Sequence, residues 1–349
     1  MDNDILKLYV KKAMRRIEDL YYSTGGDCYL SFSGGKDSTI VLALIKLCEK
    51  LGTIPKNAIP AVFCDTKIEL GATLDFVTFV KYSWYSNLQV IKPDILFPQV
   101  LNLYGKPLRS KAKSSALSLY YKNPFCSTAR YLYDDSFCRS DRFRLANRDF
   151  HFLHPDFDIR VSNECCNQIK KKPFHFYAIK NQILGYMTGE RESEGGLRSM
   201  RVAISESKGN ACTSIVDRGI IKKKPIVDWS DDVCNAFISL YSVPLSKAYT
   251  EYGVTRTGCF CCPFALDIAD NLEMLHEYEP NRYKAALFYL KDVYIAQGVI
   301  LLFDSDYMHD FEEKWKKYDV MRYEMLKKFR PDCRIVKDFE YGTQLSFFD

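Results

Sequence analysis

Ser31-Phe32-Ser33-Gly34-Gly35-Lys36-Asp37-Ser38 is the stretch that decides how this chain is read. The run that leads into it, Asp27-Cys28-Tyr29-Leu30-Ser31-Phe32, is short and β-prone. From about Asp37 to Leu51 the apolar residues Ile40, Val41, Leu44, Ile45 and Leu47 recur at helical spacing. A glycine pair at a strand-to-helix turn lets backbone amides approach an anion closely and allows positive φ. The helix that follows aims its partial positive end and unpaired N–H groups at the same point. Ser33 and Ser38 add hydroxyl donors there, and Lys36 adds charge. The spacing is not that of a Walker loop, which needs four residues between its first glycine and Gly-Lys-Ser/Thr. A plain strand–helix turn with a serviceable cap would look similar; the position at the first βα turn favours an anion site.

Working outward, Ile5 to Tyr22 reads as an opening amphipathic helix. Ile59 to Cys64 reads as a second strand, Leu70 to Trp84 as helix, and Leu88 to Ile91 as a third strand. Strands alternating with helices predict βαβ units and a parallel sheet. Asp65-Thr66 closes the second strand, where ligands of open parallel sheets gather, although Asp65 serves equally as a helix cap. Residues 98–158 show no clear period and are rich in Arg, Lys, Ser, Tyr and Phe, as an insertion or substrate lid would be. Strand character returns around Ile183 to Met187. Asp228 to Tyr241 reads as a helix capped by Ser230, and Asp267–Leu290 and Asp310–Phe329 as long helices.

The chain has 349 residues, enough for two domains, and 47% apolar content with a net charge of +5. That charge suits an anionic ligand without requiring nucleic acid. No apolar run is long enough to span a bilayer, and Met1-Asp2-Asn3-Asp4 is acidic where a signal peptide is basic, so a cytoplasmic protein without membrane contact is expected. Five of the 13 cysteines crowd into Cys165-Cys166 and Cys259-Phe260-Cys261-Cys262, which suggests a metal or redox site more than a disulfide framework. The remaining cysteines read mostly as small buried apolar residues.

Ser-Gly-Gly-Lys-Asp-Ser at this position resembles the loop of the ATP-pyrophosphatase (PP-loop) superfamily, whose members cleave ATP between the α and β phosphates. Further segments resemble the phosphoadenosine-phosphosulfate (PAPS) reductase family within that superfamily. Asp65-Thr66 stands where the family has Asp-Thr-Gly, with Lys67 in place of the glycine. Gly189, Arg191, Glu194 and Arg198 match the pattern Gly-x-Arg-x-x-Glu-Ser-x-x-Arg, with Gly195 in place of the serine. Lys224-Pro225-Ile226-Val227-Asp228-Trp229 is similar to the family's Pro-Ile-x-Asp-Trp segment. Guanidinium forks at Arg191 and Arg198 suit phosphate or sulfate oxygens. Cys165-Cys166 followed by Cys259-x-x-Cys262 resembles the pattern of the family's iron–sulfur members, which implies a 4Fe–4S cluster on those four thiolates, with Cys261 as a further candidate ligand. Zinc is the alternative metal, since four thiolates also suit it. The resemblance spans roughly Asp27 to Pro263. One departure is plain: the Glu-Cys-Gly-x-His segment of true sulfate-nucleotide reductases is missing, and Cys333 lies in Pro331-Asp332-Cys333-Arg334.

The resemblance implies an α/β, Rossmann-like (adenine nucleotide alpha hydrolase-like) fold: a parallel sheet with helices on both faces, plus a helical C-terminal region. A nucleotide-binding domain is expected over 1–245 and a cysteine site with helices over 246–349. Nucleotide contacts would come from Ser31, Ser33, Gly34, Gly35, Lys36, Asp37, Ser38, Asp65, Thr66, Gly189 and Arg191. Lys36, Asp37, Arg191 and Arg198 would be catalytic. ATP or PAPS would be bound, with Mg²⁺, for nucleotide-dependent activation or sulfur transfer, and an electron or sulfur donor protein would be a partner. Authentic PAPS or adenylyl-sulfate reduction is one alternative; it requires a nucleophilic cysteine. A sulfurtransferase-like role in DNA or RNA modification is another, with the basic stretches Arg109–Lys122 and Arg139–Arg148 as the footprint. Gln344-Leu345-Ser346-Phe347-Phe348 resembles the short peptide that docks into the bacterial sliding clamp, and equally reads as a tail packed on its own protein.

Overall fold

The strand β1 (Cys28–Ser31) pairs in parallel on both sides, and the sheet is built outward from it. The computed structural model describes residues 2–137, 141–194, 212–215 and 219–340; Arg198, Gly195 and Gln344–Phe348 lie outside them. On one side stand β2 (Ala61–Cys64) and β3 (Leu88–Ile91), and on the other β4 (Gly185–Met187) and β6 (Ile221–Lys223), all parallel. The strand β5 (Thr213–Ile215) adds an antiparallel edge, giving the order β3-β2-β1-β4-β6-β5. The chain steps from β1 outward to β3 and then returns to the opposite side of β1 with β4. The direction of winding therefore reverses between β1 and β4, where open sheets leave a crevice at their carboxyl ends.

Side chains alternate across the pleat. Cys28, Leu30 and Phe32 join one core with α1 (Asn3–Ser23), α2 (Lys36–Lys50) and α3 (Gly71–Phe79). Tyr29 and Val62 face the other way, toward Ala178 of α7 (Lys172–Lys180). Helices thus cover both faces, as expected for this fold. The helix α8 (Asp231–Leu240) completes the first face and begins as the sequence indicates, with Ser230 Oγ accepting from Val233 N. Arg16 clamps the turn before it, donating to both Asp228 carboxylate oxygens at 2.6 and 3.2 Å.

By packing, the chain divides into two compact units, Met1–Asp94 with Lys170–Gly258 and Ile95–Ile169 with Cys259–Asp349. This grouping is a different partition from the single break expected at 245/246. Residues 95–169 are also more ordered in pattern than their composition suggests. They form α4 (Phe97–Tyr104), α5 (Lys111–Tyr120), α6 (Ser127–Arg130) and a 3₁₀ turn at Asn147–Leu153. Their partners are α10 (Ile268–Tyr278), α11 (Pro280–Ala296), α12 (Ser305–Phe329) and α13 (Arg334–Glu340), which follow the short α9 (Lys247–Thr250) of the first unit. Arg109 donates to Asp149 at 2.6 Å and to the Gln297 carbonyl at 2.7 Å, and Lys106 reaches Asp292 at 2.7 Å. The helix expected over 267–290 is two helices, because Pro280 supplies no amide and starts the second as its first residue. No described helix is long and apolar enough to cross a membrane.

His151 is fully buried in the second unit, and its Nε2–H donates to the Ala296 carbonyl at 2.9 Å. Burial pushes its pKa down from 6.5 to about 3, so the ring is neutral in the fold. Between those values the unfolded chain binds the extra proton, so stability is full above about pH 6.5 and is lost as pH falls. Urea titrations followed by circular dichroism should show wild type losing stability from pH 7 to pH 5 at up to about 1.4 kcal/mol per pH unit more than His151→Gln. Parallel pH profiles would contradict this assignment.

Candidate functional site

The pairing of Leu30 with Met187 sets the ends of β1 and β4 side by side. Their continuations, Phe32–Gly35 and Thr188–Arg191, consequently meet. Gly34 adopts φ +71, a conformation that favours glycine, and a Cβ there would stand 2.9 Å from Thr73 Cγ2. Gly189 carries the tighter constraint. A Cβ on it would lie 2.7 Å from the Asp37 carbonyl carbon and 2.8 Å from Ser38 N, both backbone atoms at the start of α2.

Loop and hydroxyls are knitted together. Ser33 N donates to Ser38 Oγ at 3.2 Å, Gly35 N to Ser33 Oγ at 3.3 Å, and Ser38 Oγ to the Gly35 carbonyl at 2.9 Å. Lys36 N donates to Tyr249 Oη at 3.0 Å. Arg191, only 5% exposed, is the electrostatic hub. Its Nε donates to Asp37 Oδ1 at 3.0 Å, Nη2 to Asp231 Oδ1 at 2.9 Å, and Nη1 to the Trp229 carbonyl at 3.3 Å. Lys36 Nζ also approaches Asp231, at 3.4 Å. Burial pushes the Asp37 carboxyl up against the pull of Arg191 and Lys36, whereas the Arg191 hydrogen bond holds Asp231 below its ordinary value.

These groups enclose a cavity of about 460 Å³. Of the residues expected to bind nucleotide, Ser31, Ser33, Gly35, Lys36, Asp37, Ser38, Gly189 and Arg191 line it. Gly34, Asp65 and Thr66 are not among its described lining residues. Asp65 instead accepts from Lys67 N at 3.2 Å and pairs with Lys67 Nζ at 2.6 Å, shaping a turn in which Lys67 has φ +67. The sequence reading passed over Asp231, Tyr249, Arg256 and Thr257, which also line the cavity. Asp231 begins the helix that Ser230 caps, and its position beside Arg191 follows from the fold, not from any local pattern. A second cavity of about 280 Å³ shares Ser31, Ser33 and Thr257 and adds Phe63, Glu69 and Phe174.

The two cysteine sites fall in the second unit. Cys261 is 1% exposed and Cys165 7%, while Cys166, Cys259 and Cys262 are partly buried. Burial pushes the pKa of the Cys261 thiol well above its ordinary value, and Cys259, Cys262 and Cys165 push it further. Thiols from both sites are thus electrostatic neighbours, although 94 positions separate Cys165 from Cys259. Their donor chemistry fits a thiophilic metal centre. Among the described residues, no three His, Cys, Asp or Glu side chains are grouped as they would be around a metal ion. Elsewhere, burial raises Cys28 to about 11 and Cys48 and Cys234 to about 12, which fits the packing role expected of them. In the basic stretches, Arg109 and Arg144 engage Asp149 and Asp135 at 2.6 and 3.3 Å.

Residues 27–123 match the family model of the phosphoadenosine phosphosulfate reductase domain, so the resemblance read from the motifs holds over that segment. Comparison with curated proteins gives no match. Among solved structures, the chain is similar to a PAPS reductase from Candida auris in complex with phosphate (15% identity, 74% of this chain and 96% of that one, TM-score 0.42). An FMN adenylyltransferase from Candida glabrata with FAD and inorganic pyrophosphate gives 13% identity, 74% and 65% coverage and a TM-score of 0.42. A U34-tRNA thiolase from Methanococcus maripaludis with its 4Fe–4S cluster gives 13% identity, 82% and 80% coverage and a TM-score of 0.35.

A methyl group at Gly189 would collide with backbone that cannot swing aside. Gly189→Ala should therefore lower stability by roughly 1–3 kcal/mol in urea denaturation. An unchanged midpoint would show that the contact is looser than these distances require.

Proposed function

We propose that this chain is a PAPS reductase-like PP-loop enzyme that binds an adenine nucleotide at Ser33–Ser38 and uses it for activation or sulfur transfer. The observation that carries this reading is the cavity itself: the loop, the start of α2, Lys36 and Arg191 all face one space. Helix-terminal amides and cations suit a pyrophosphate group, and Asp231 already bridges the two cations as an internal anion. A phosphate arriving there would take over Lys36 and Arg191 from Asp231. Asp37 and Asp231 would face Mg²⁺ delivered with the nucleotide. In-line attack at the α-phosphate needs chiefly positioning and charge neutralisation, which these groups would supply as pyrophosphate leaves on the loop. Arg198 is the remaining catalytic candidate on the family pattern.

Cys165, Cys166, Cys259 and Cys262 would hold a 4Fe–4S cluster, with Cys261 as a further candidate ligand. When bound, such a cluster supplies redox or sulfur-handling chemistry. The cysteine needed for direct attack on sulfate has no matching segment, so activation or sulfur transfer is preferred to sulfate reduction.

Anaerobic purification with absorption spectroscopy, followed by incubation with ATP and assay of pyrophosphate, tests both halves. Lys36→Ala and Asp37→Ala should each abolish turnover and leave the circular dichroism spectrum unchanged. Wild-type turnover in either variant would sink the loop assignment, and a colourless protein containing zinc would replace the cluster with zinc.

A further inference from the structure

Three hydroxyl oxygens from distant parts of the chain converge over Gly35. A Cβ there would stand 2.8 Å from Thr257 Oγ1, 3.2 Å from Ser33 Oγ and 3.2 Å from Tyr249 Oη. Ser33 belongs to the loop, but Tyr249 sits in α9 and Thr257 in the irregular segment beyond it, segments to which no motif assigned a role. Tyr249 Oη accepts from Lys36 N at 3.0 Å and from Thr257 N at 3.3 Å, and lies 3.1 Å from Thr257 Oγ1. A phenol oxygen has one proton and two lone pairs. With both lone pairs facing amides, its proton is the one to lie between Tyr249 and Thr257. Thr257 Oγ1 therefore accepts, and keeps its own proton to donate elsewhere.

Thr257 also lines both the 460 Å³ cavity at the loop and the 280 Å³ cavity beside it. The first holds the amides and cations suited to a pyrophosphate. The second has aromatic walls in Phe63 and Phe174. A nucleotide with its terminal phosphates on the loop and its nucleoside toward the second cavity carries the intervening phosphate past Thr257.

We infer that the Thr257 hydroxyl, oriented by Tyr249, donates to the phosphate group next to the ribose, the one at which bond cleavage would occur. This rests on the PP-loop reading above. Thr257 is thereby a phosphate-contacting residue, and Tyr249 a positioning residue that acts through it. The arrangement also gives Gly35 a reason to be glycine, since any side chain would push the hydroxyls apart.

The test uses the full chain, two probes and isothermal titration calorimetry. Inorganic pyrophosphate reports on the loop alone, and α,β-methylene-ATP reports on the loop and the inner phosphate together. Thr257→Val should weaken the analogue about ten-fold or more, as expected for a lost hydrogen bond to a charged group, while Thr257→Ser restores it to within about two-fold. Tyr249→Phe should cause a smaller loss for the analogue, and pyrophosphate affinity should be unaltered in both Thr257 variants. Analogue binding by Thr257→Val at wild-type strength, equal losses for both probes, or failure of serine to restore would each overturn the inference. Should Thr257→Val melt at a lower temperature than wild type, Thr257→Ala decides by the same criterion. If wild-type protein binds neither probe, the loop reading itself has failed, a result distinct from the others.

Discussion

The backbone of Gly189 lies against the first turn of α2 with no room for a single carbon between them. That contact is the constraint on which the site depends. It exists because β1 and β4 are neighbours in register, so the loops beyond their carboxyl ends have one place to go. It places Arg191, two residues on, with Asp37 on one side and Asp231 on the other. A guanidinium almost removed from solvent is tolerable only with partners of this kind, because an unpaired buried charge costs several kcal/mol. Two carboxylates and a backbone carbonyl meet that requirement here.

The same pairing determines what the cavity can accept. Lys36 and Arg191 do not wait as bare cations; Asp231 holds both, and its side chain is largely exposed. An anion entering the cavity would therefore exchange with a carboxylate instead of filling a field of unopposed charge. Such an arrangement keeps the fold from paying for mutual repulsion of the cations and preserves their positions for the ligand, which is the sense in which a polar site is preorganised. Asp37 is different, since it is buried and its carboxyl is raised despite two nearby cations. Its negative charge is sustained by Arg191, so the loop and the segment after β4 are electrostatically one piece.

How much of this was legible in the sequence depends on range. Local signals were read well: the strand before the loop, the Ser230 cap and the alternation that builds a parallel sheet all rest on neighbours within a few residues. Eight of the residues named for nucleotide contact line one cavity because they belong to two short motifs, Ser31–Ser38 and Gly189–Arg191. Asp231, Tyr249 and Thr257 could not be found in that way. Tyr249 matters through a hydroxyl that meets Lys36 N, 213 positions away in the chain, and nothing in Lys247–Thr250 announces it. Residues 98–158 show no clear period for another reason. Their helices are short, and small residues such as Ala112, Ser114 and Ala116 form the buried side of α5, so no strong apolar period appears.

The cysteines show how topology can assemble what sequence keeps apart. Cys165-Cys166 stand just before the chain enters the first unit at Lys170, and Cys259 follows directly where it leaves at Gly258. Both sites therefore lie at the ends of the two segments that make up the second unit, and the fold of that unit brings Cys165 close enough to influence the Cys261 thiol. Ionising the Cys261 thiol is opposed first by complete burial and then by Cys259, Cys262 and Cys165. A cation reverses that balance: it favours every thiolate at once and turns mutual repulsion into a shared ligand field. Joining Cys165 to the Cys259–Cys262 turn through such a centre would also tie the two segments of the second unit together, a long closure of the kind whose entropic benefit grows with the chain enclosed. Without a cation these thiols stay protonated; a cation bound there would favour their thiolates.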